Sequence, residues 1–175
     1  MIRHPDASIR IRPLCSSDAD YFCAEENAQG WHSKVEKFQR RLSHAVQGLC
    51  TALVAEVDGQ AAGYINVYWR PETGAFAGQG IPEIVDFAVL EKFRQRGVGT
   101  RLMDAAEACA AERCERVYLG VGLHSGYGSA QRMYVKRGYI PDGSGVWYLD
   151  RVHEPYAPCR NDDDLVLYLI KRLKP

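Results

Sequence analysis

No charge of one sign dominates this chain. Twenty-two Lys and Arg stand against 22 Asp and Glu, so the formal net charge is zero. That balance excludes the broad basic field by which proteins grip a nucleic-acid backbone. No apolar run approaches the roughly 20 residues of a membrane span. No apolar signal core follows Met1-Ile2-Arg3-His4-Pro5, so no secretory leader is expected. Cys-x-x-Cys pairs are missing as well. Cys15, Cys23, Cys50, Cys109, Cys114 and Cys159 stand apart, with no histidine at ligand spacing. Neither a metal site nor a disulfide framework is expected, and reduced thiols point to a cytoplasmic setting. Internal repeats and low-complexity segments are absent too.

What is there is ordinary in bulk. Hydrophobic residues make up 46% and charged residues 25% of 175, as in a globular protein with a real core. That length fits one domain covering 1–175. Ile9, Ile11 and Leu14 alternate with polar residues and predict a first strand. Ser17-Asp18 offers a helix cap before Tyr21, Phe22 and Ala24. A second helix is expected over 33–47, with Val35, Phe38, Leu42 and Val46 on one face and Gly48 ending it. Strands follow at 51–57 and 61–69, joined by the turn Asp58-Gly59. The Gly- and Pro-rich stretch 70–82 reads as a loop.

The second half is equally regular. A fourth strand covers 83–90. The helix over 98–113 carries the stripe Val98, Leu102, Ala105, Ala106 and Cys109. A fifth strand covers 116–123. Its Gly120 and Gly122 share a face and leave room for something to approach. A helix over 129–137 stops at Gly138. Strands at 139–140, 146–149 and 165–169 complete the chain.

The most informative six residues are Arg94-Gln95-Arg96-Gly97-Val98-Gly99. Strand, basic glycine turn and helix together hold a phosphorylated ligand. The first N–H groups of a helix lack intrahelical partners, and their partial positive charge favours an anion. The glycines admit the ligand close to the backbone, and Arg94 and Arg96 add forked donors. Two better-known phosphate turns fail. A dinucleotide fingerprint needs glycine where Leu102 stands, and a P-loop needs Gly-Lys-Ser or Gly-Lys-Thr.

Arg-x-x-Gly-x-Gly after a strand resembles the acyl-CoA signature of the GNAT superfamily of N-acetyltransferases. The resemblance is densest from Glu83 to Tyr139. It implies an α/β (α+β) fold, with a mixed, mostly antiparallel central sheet of about seven strands flanked by about four helices. It also implies acetyl-CoA as co-substrate, without a metal. The amides and side chains of Arg94, Gln95, Arg96, Gly97, Val98, Gly99 and Thr100 would hold its pyrophosphate. Phe87, Ala88 and Val89 would run beside the pantetheine arm, with the Phe87 N–H facing the thioester oxygen.

Catalytic roles follow from the same resemblance. Glu83, or water held by it, would take the amine proton. Asp86, mid-strand on the opposite face, is a weaker rival, since a buried aspartate is more often hydrogen-bonded structure. Tyr134, in Tyr134-Val135-Lys136-Arg137-Gly138-Tyr139, would protonate the departing thiolate. Many members carry Asn where Tyr127 stands, so Ser129 or a backbone group would take over that contact. No cysteine sits in a nucleophile setting, which favours direct transfer in a ternary complex.

The acceptor is less defined. Asp162-Asp163-Asp164, with Asp150 and Glu154, would attract a cationic amine or form a solvated acidic turn. Trp31, Trp69, Trp147 and Tyr148 are pocket or core aromatics, and His124 is a proton relay or an incidental loop residue. The expected acceptor is a small-molecule primary amine, with no nucleic-acid or membrane partner. A homodimer is expected only because family members often form one. A protein or peptide acetyltransferase and a non-catalytic acyl-CoA sensor are the alternatives.

Overall fold

The alternation around Ile9 becomes strand β1 (Ile9–Pro13) in the computed structural model, which describes residues 8–173. The stretch Met1 to Pro5 lies outside the described residues. After β1 come α1 (Ser16–Ala28), α2 (Val35–Val46), β2 (Cys50–Val57), β3 (Gln60–Tyr68) and β4 (Glu83–Val89). A 3-10 turn (Glu91–Phe93) leads to α3 (Val98–Ala111) and β5 (Arg116–Gly122). A second 3-10 turn (Ser125–Tyr127) leads to α4 (Gly128–Lys136), β6 (Ile140–Tyr148), β7 (Arg151–Val152) and β8 (Leu165–Arg172). Four α-helices and eight mostly antiparallel strands are thus present among the described residues. No helix among them is long and apolar enough to cross a membrane.

The chain packs as two compact units, and β4 contributes to both. One unit comprises Met1–Val67 with Asp86–Cys109, the other Tyr68–Val85 with Ala110–Pro175. In the first, the strands run β1-β2-β3-β4. Asp58 (φ 51°) and Gly59 (φ 80°) both adopt the left-handed conformation in the β2–β3 hairpin, which matches the twist of the strands they join. β3 is buried from Ala61 to Val67. Phe22, Phe38 and Tyr64 meet there, with ring centroids 5.0 to 5.6 Å apart. Helix α3 covers β3 at Gly63, where an added Cβ would lie 3.2 Å from Leu102 Cδ1 and 3.1 Å from Val89 Cα.

Two expectations shift in this unit. Helix α1 starts at Ser16, and Asp18 caps it from inside by accepting the Cys15 N–H at 2.8 Å. Arg12 grips both Asp18 oxygens, at 2.6 and 2.8 Å. Helix α2 buries Phe38 but leaves Val46 90% exposed. Val46 is the last residue of the helix, past the reach of the aromatic cluster.

In the second unit the strands run β4-β5-β8-β6-β7, with β4 parallel to β5 at Glu83↔Tyr118 and Ile84↔Leu119. β5 pairs antiparallel with β8 along its length, from Arg116↔Arg172 to Gly122↔Val166. Ile81, Tyr118 and Tyr168 form its core, with Phe76, Trp147 and Val166 against it. The segments expected at 139–140 and 146–149 belong to the single strand β6. A register shift between Pro141 and Val146 interrupts it, with left-handed Gly143 and Gly145 inside. β6 then turns into the two-residue β7 through Leu149 (φ 52°) and Asp150 (φ 59°). The room left by Gly120 and Gly122 is filled from within. The Tyr168 ring lies over Gly120, and the Tyr127 ring occupies the place of a Gly122 side chain.

Candidate active site

In the first unit, the site is built on the passage from β4 to α3. Leu90 and Phe93 are buried and anchor the passage, and the Leu90 N–H donates to the Ala62 carbonyl at 2.9 Å. Between these anchors and Val98, which is buried, the chain turns outward. Gln95 (φ 60°) and Gly97 (φ 82°) are both left-handed. Such alternation aims successive N–H groups into one concavity. Arg94, Gln95, Arg96, Gly97 and Thr100 are exposed. The Arg101 N–H donates to the Gly97 carbonyl at 3.1 Å. The N–H groups of Val98, Gly99 and Thr100 therefore precede the helical ladder. Arg94 lies 3.4 Å from Glu91 and stacks 5.6 Å over the Trp31 ring, while Arg96 sits 5.8 Å over Phe93. Gly99 is half-buried because the Phe87 ring needs the space, its Cζ 3.1 Å from where a Cβ would stand. The exposed arginines and the leading N–H groups give this turn the charge that suits an anion.

Asp86 breaks the regularity of β4. Its φ of 54° is left-handed in mid-strand, the mark of a local bulge. Arg41 Nε lies 3.4 Å and Lys37 Nζ 3.9 Å from its carboxylate. Lys37 also donates to Glu26 at 3.0 Å and to the Tyr64 hydroxyl at 2.8 Å, and that hydroxyl donates to Glu26. Burial first, then the Asp86 and Glu26 charges, push the Tyr64 hydroxyl far above its ordinary range. Asp86 thus serves as an ion-paired structural group. Sequence reading missed this network. Its one signal is Glu26, four residues after Phe22 on the buried face of α1.

In the second unit, Glu83 opens β4 half-buried. The Tyr118 hydroxyl donates to its Oε2 at 3.2 Å, and the same oxygen of Tyr118 lies 3.5 Å from the Thr73 carbonyl. Burial, then the Glu83 charge, raises the Tyr118 hydroxyl well above the usual tyrosine value. Tyr168 is raised by burial and then by Glu83, Asp150 and Asp142. Several carboxylates therefore act on one aromatic floor, to which Trp147 (5.1 Å from Tyr168) and Tyr118 (5.9 Å) belong. Tyr118 and Tyr168 were not singled out by sequence reading, since alternating strand tyrosines look like any core.

Tyr134 is buried in α4, and burial followed by Tyr127 raises its hydroxyl above the ordinary value. Gly138 (φ 87°) reverses the chain so that the Tyr139 N–H donates to the Tyr134 carbonyl at 3.0 Å. The two rings then meet at 5.8 Å. That is the physical content of the Tyr-x-x-x-Gly-Tyr spacing. Ser129 is exposed in the first turn of α4.

Tyr127, His124 and Asp163 form a clip. Tyr127 donates to Asp163 Oδ1 at 2.8 Å, and His124 Nε2 lies 3.0 Å from the same oxygen. His124 Nδ1 accepts the Gly126 N–H, so Nε2 carries the hydrogen and donates. These two donors hold the Asp163 carboxyl below its ordinary value. Asp163 is therefore a fastener for the segment before β8. Trp69 stacks under Arg113 at 4.1 Å, and Tyr148 packs on His153 at 5.6 Å. Among the described residues no group of His, Cys, Asp and Glu is arranged to hold a metal.

Comparison with known proteins converges on one family. The family model described as "Acetyltransferase (GNAT) family" matches residues 15–139. An N-alpha-acetyltransferase of Sulfurisphaera tokodaii is 36% identical over 94 residues, covering 49% of this chain and 54% of that protein. The chain spans about half the length of the curated relatives it matches. Two solved structures share the fold. An N-acetyltransferase from Staphylococcus aureus Mu50 superposes with a TM-score of 0.70 at 15% identity, covering 95% of this chain and 99% of its own. A Salmonella typhimurium protein solved with its cofactor acetyl-CoA gives 0.67 at 13% identity, covering 96% and 95%.

Proposed function

The chain belongs to the acetyltransferase (GNAT) family, and on that premise we propose that it moves the acetyl group of acetyl-CoA directly to the primary amine of a small molecule. The observation that carries this reading is the 94–100 turn, with Arg94, Gln95, Arg96, Gly97 and Thr100 exposed and Gln95 and Gly97 left-handed. Its N–H groups and the two arginines suit a pyrophosphate. Phe87, Ala88 and Val89 would flank the pantetheine arm, and Ser129 would take the contact that Tyr127, fastened to Asp163, does not offer.

Four tasks remain for the reaction: hold the carbonyl, take the amine proton, stabilise the oxyanion and protonate the thiolate. Glu83 is the base. Tyr118 orients its carboxylate by donating to Oε2. The amine nitrogen attacks the thioester carbon, and the Phe87 N–H stabilises the oxyanion. Tyr134 then delivers its proton to the sulfur as the C–S bond breaks. A hydroxyl raised by burial is fully protonated at neutral pH, as an acid must be. The carboxylates of Glu83, Asp142 and Asp150 around Tyr168 support a cationic acceptor. A single domain spanning the chain and a cytoplasmic setting complete the proposal, the latter supported by six free cysteines.

The relationship to an N-alpha-acetyltransferase favours a second reading, a peptide N-terminus as acceptor. Thermal unfolding with acetyl-CoA, against ATP and NAD, tests the donor. At about one hundred times its dissociation constant, acetyl-CoA should add roughly 2.7 kcal/mol. An equal rise with ATP would overturn the donor assignment. Turnover on polyamines and aminoglycosides, set beside short peptides with free N-termini, decides the acceptor.

A further inference from the structure

The left-handed turn at Asp86 lies one residue before the group assigned to the thioester oxygen. The Asp86 carbonyl and the Phe87 N–H belong to one peptide unit. That unit is planar and trans, so the direction of its C=O fixes the opposite direction of its N–H. Asn66, 2% exposed on β3, donates its Nδ2–H to this carbonyl at 3.4 Å. The φ of Asp86, 54°, sets the rotation of the backbone just before it. A left-handed conformation is unfavourable for a residue with a Cβ and must be held by its surroundings. Arg41 Nε at 3.4 Å and Lys37 Nζ at 3.9 Å hold the Asp86 side chain from α2. Lys37 is itself fixed by Glu26 and Tyr64.

We propose that Asn66 and Asp86, the latter clamped by Arg41 and Lys37, are positioning residues that aim the Phe87 N–H at the thioester carbonyl. Asn66 pins one end of the peptide unit, and the clamped carboxylate pins the rotation leading into it. The two cations have a second effect. A carboxylate this close to a developing oxyanion would oppose it, and Arg41 and Lys37 compensate that charge. The inference rests on the reading of the Phe87 N–H as the oxyanion donor.

Acetyl-CoA labelled with carbon-13 at the thioester carbonyl tests this without any acceptor. A hydrogen-bonded carbonyl absorbs at lower infrared frequency than the free one. The full-length protein should bind the labelled acetyl-CoA and lower that frequency. Asn66→Leu and Asp86→Ala should lose most of the shift while binding acetyl-CoA within about threefold of the parent, since the pyrophosphate turn is untouched. Asp86→Gly should keep more of the shift than Asp86→Ala, because glycine accepts a left-handed φ without a clamp. Loss of strand stability alone gives the reverse order. If Asp86→Ala does not fold, Arg41→Met carries the same test with Asp86 in place. An undiminished shift in these variants overturns the positioning role. A parent that binds acetyl-CoA with no shift overturns the Phe87 reading, and the positioning role with it. A parent that does not bind acetyl-CoA overturns the donor site itself.

Discussion

Tyr118 and Tyr134 are two buried tyrosines to which the proposed mechanism gives opposite tasks, one to orient a base and the other to serve as an acid. Tyr134→Phe should lower kcat by about a hundredfold at neutral pH, the scale of a lost general acid. Binding of acetyl-CoA should hold. Because burial keeps the Tyr134 hydroxyl above its ordinary value, its ionisation should not cut the parent's activity below pH 10. Tyr118→Phe should cost less, about tenfold in kcat, since Glu83 remains and loses only its donor. Steady-state kinetics on the first accepted amine checks both. The sequence shows Tyr134 well and Tyr118 poorly, for a physical reason. Tyr134 belongs to a local pattern whose glycine closes the helix, so Tyr139, the ring it meets, lies only five residues on. Tyr118 meets Glu83 only through strand pairing, across 35 positions of chain. Spacing in a sequence carries no record of such register. The Lys37–Asp86–Arg41 network is hidden for the same reason.

Elements carry their own strain and their own supports. The β6–β7 hairpin turns through Leu149 and Asp150, both left-handed and neither a glycine. Replacing the pair by Asn-Gly, the favoured occupants of such a turn, should stabilise the protein by about 1–2 kcal/mol. Thermal denaturation would read this as a rise in Tm. The start of α1 depends on one ion pair. Arg12→Met leaves Asp18, 4% exposed, buried without its main partner, which should cost about 3 kcal/mol at neutral pH. Burial works to raise the Asp18 carboxyl, but the Arg12 and Cys15 hydrogen bonds prevail and lower it. A lowered carboxyl gives stability above its unfolded value of 3.8 that is lost as pH falls through the folded one. The gap between parent and Arg12→Met should therefore narrow below pH 3.8 in acid unfolding curves. Most elements were legible, because hydrophobic period and turn chemistry agree from β1 to α4. β6 was not, because Pro141, Gly143 and Gly145 read as a loop when they form a bulged strand. The α1 cap was displaced because the charge that selects Asp18 comes from β1.

At the scale of the whole molecule, the bland composition was as informative as the motifs. Balanced charge, separated cysteines and short apolar runs left a globular protein as the natural reading, and the enzyme reading came from the resemblance alone. All six cysteines are free, so reductant should leave the melting temperature unchanged, and a shift of more than a degree or two would point to a linkage that the fold does not explain. Neither the acceptor nor the pairing of distant strands follows from composition.

The Tyr127 ring stands where a Gly122 side chain would be. The two positions are therefore bound in inheritance. A lineage that acquires Asn at 127 vacates the space and frees 122 to become alanine or larger. One that keeps the tyrosine must keep the glycine. In a collection of close homologues, 122 should change only where 127 has also changed, and the loss of Asp163 should follow the loss of the ring that it fastens.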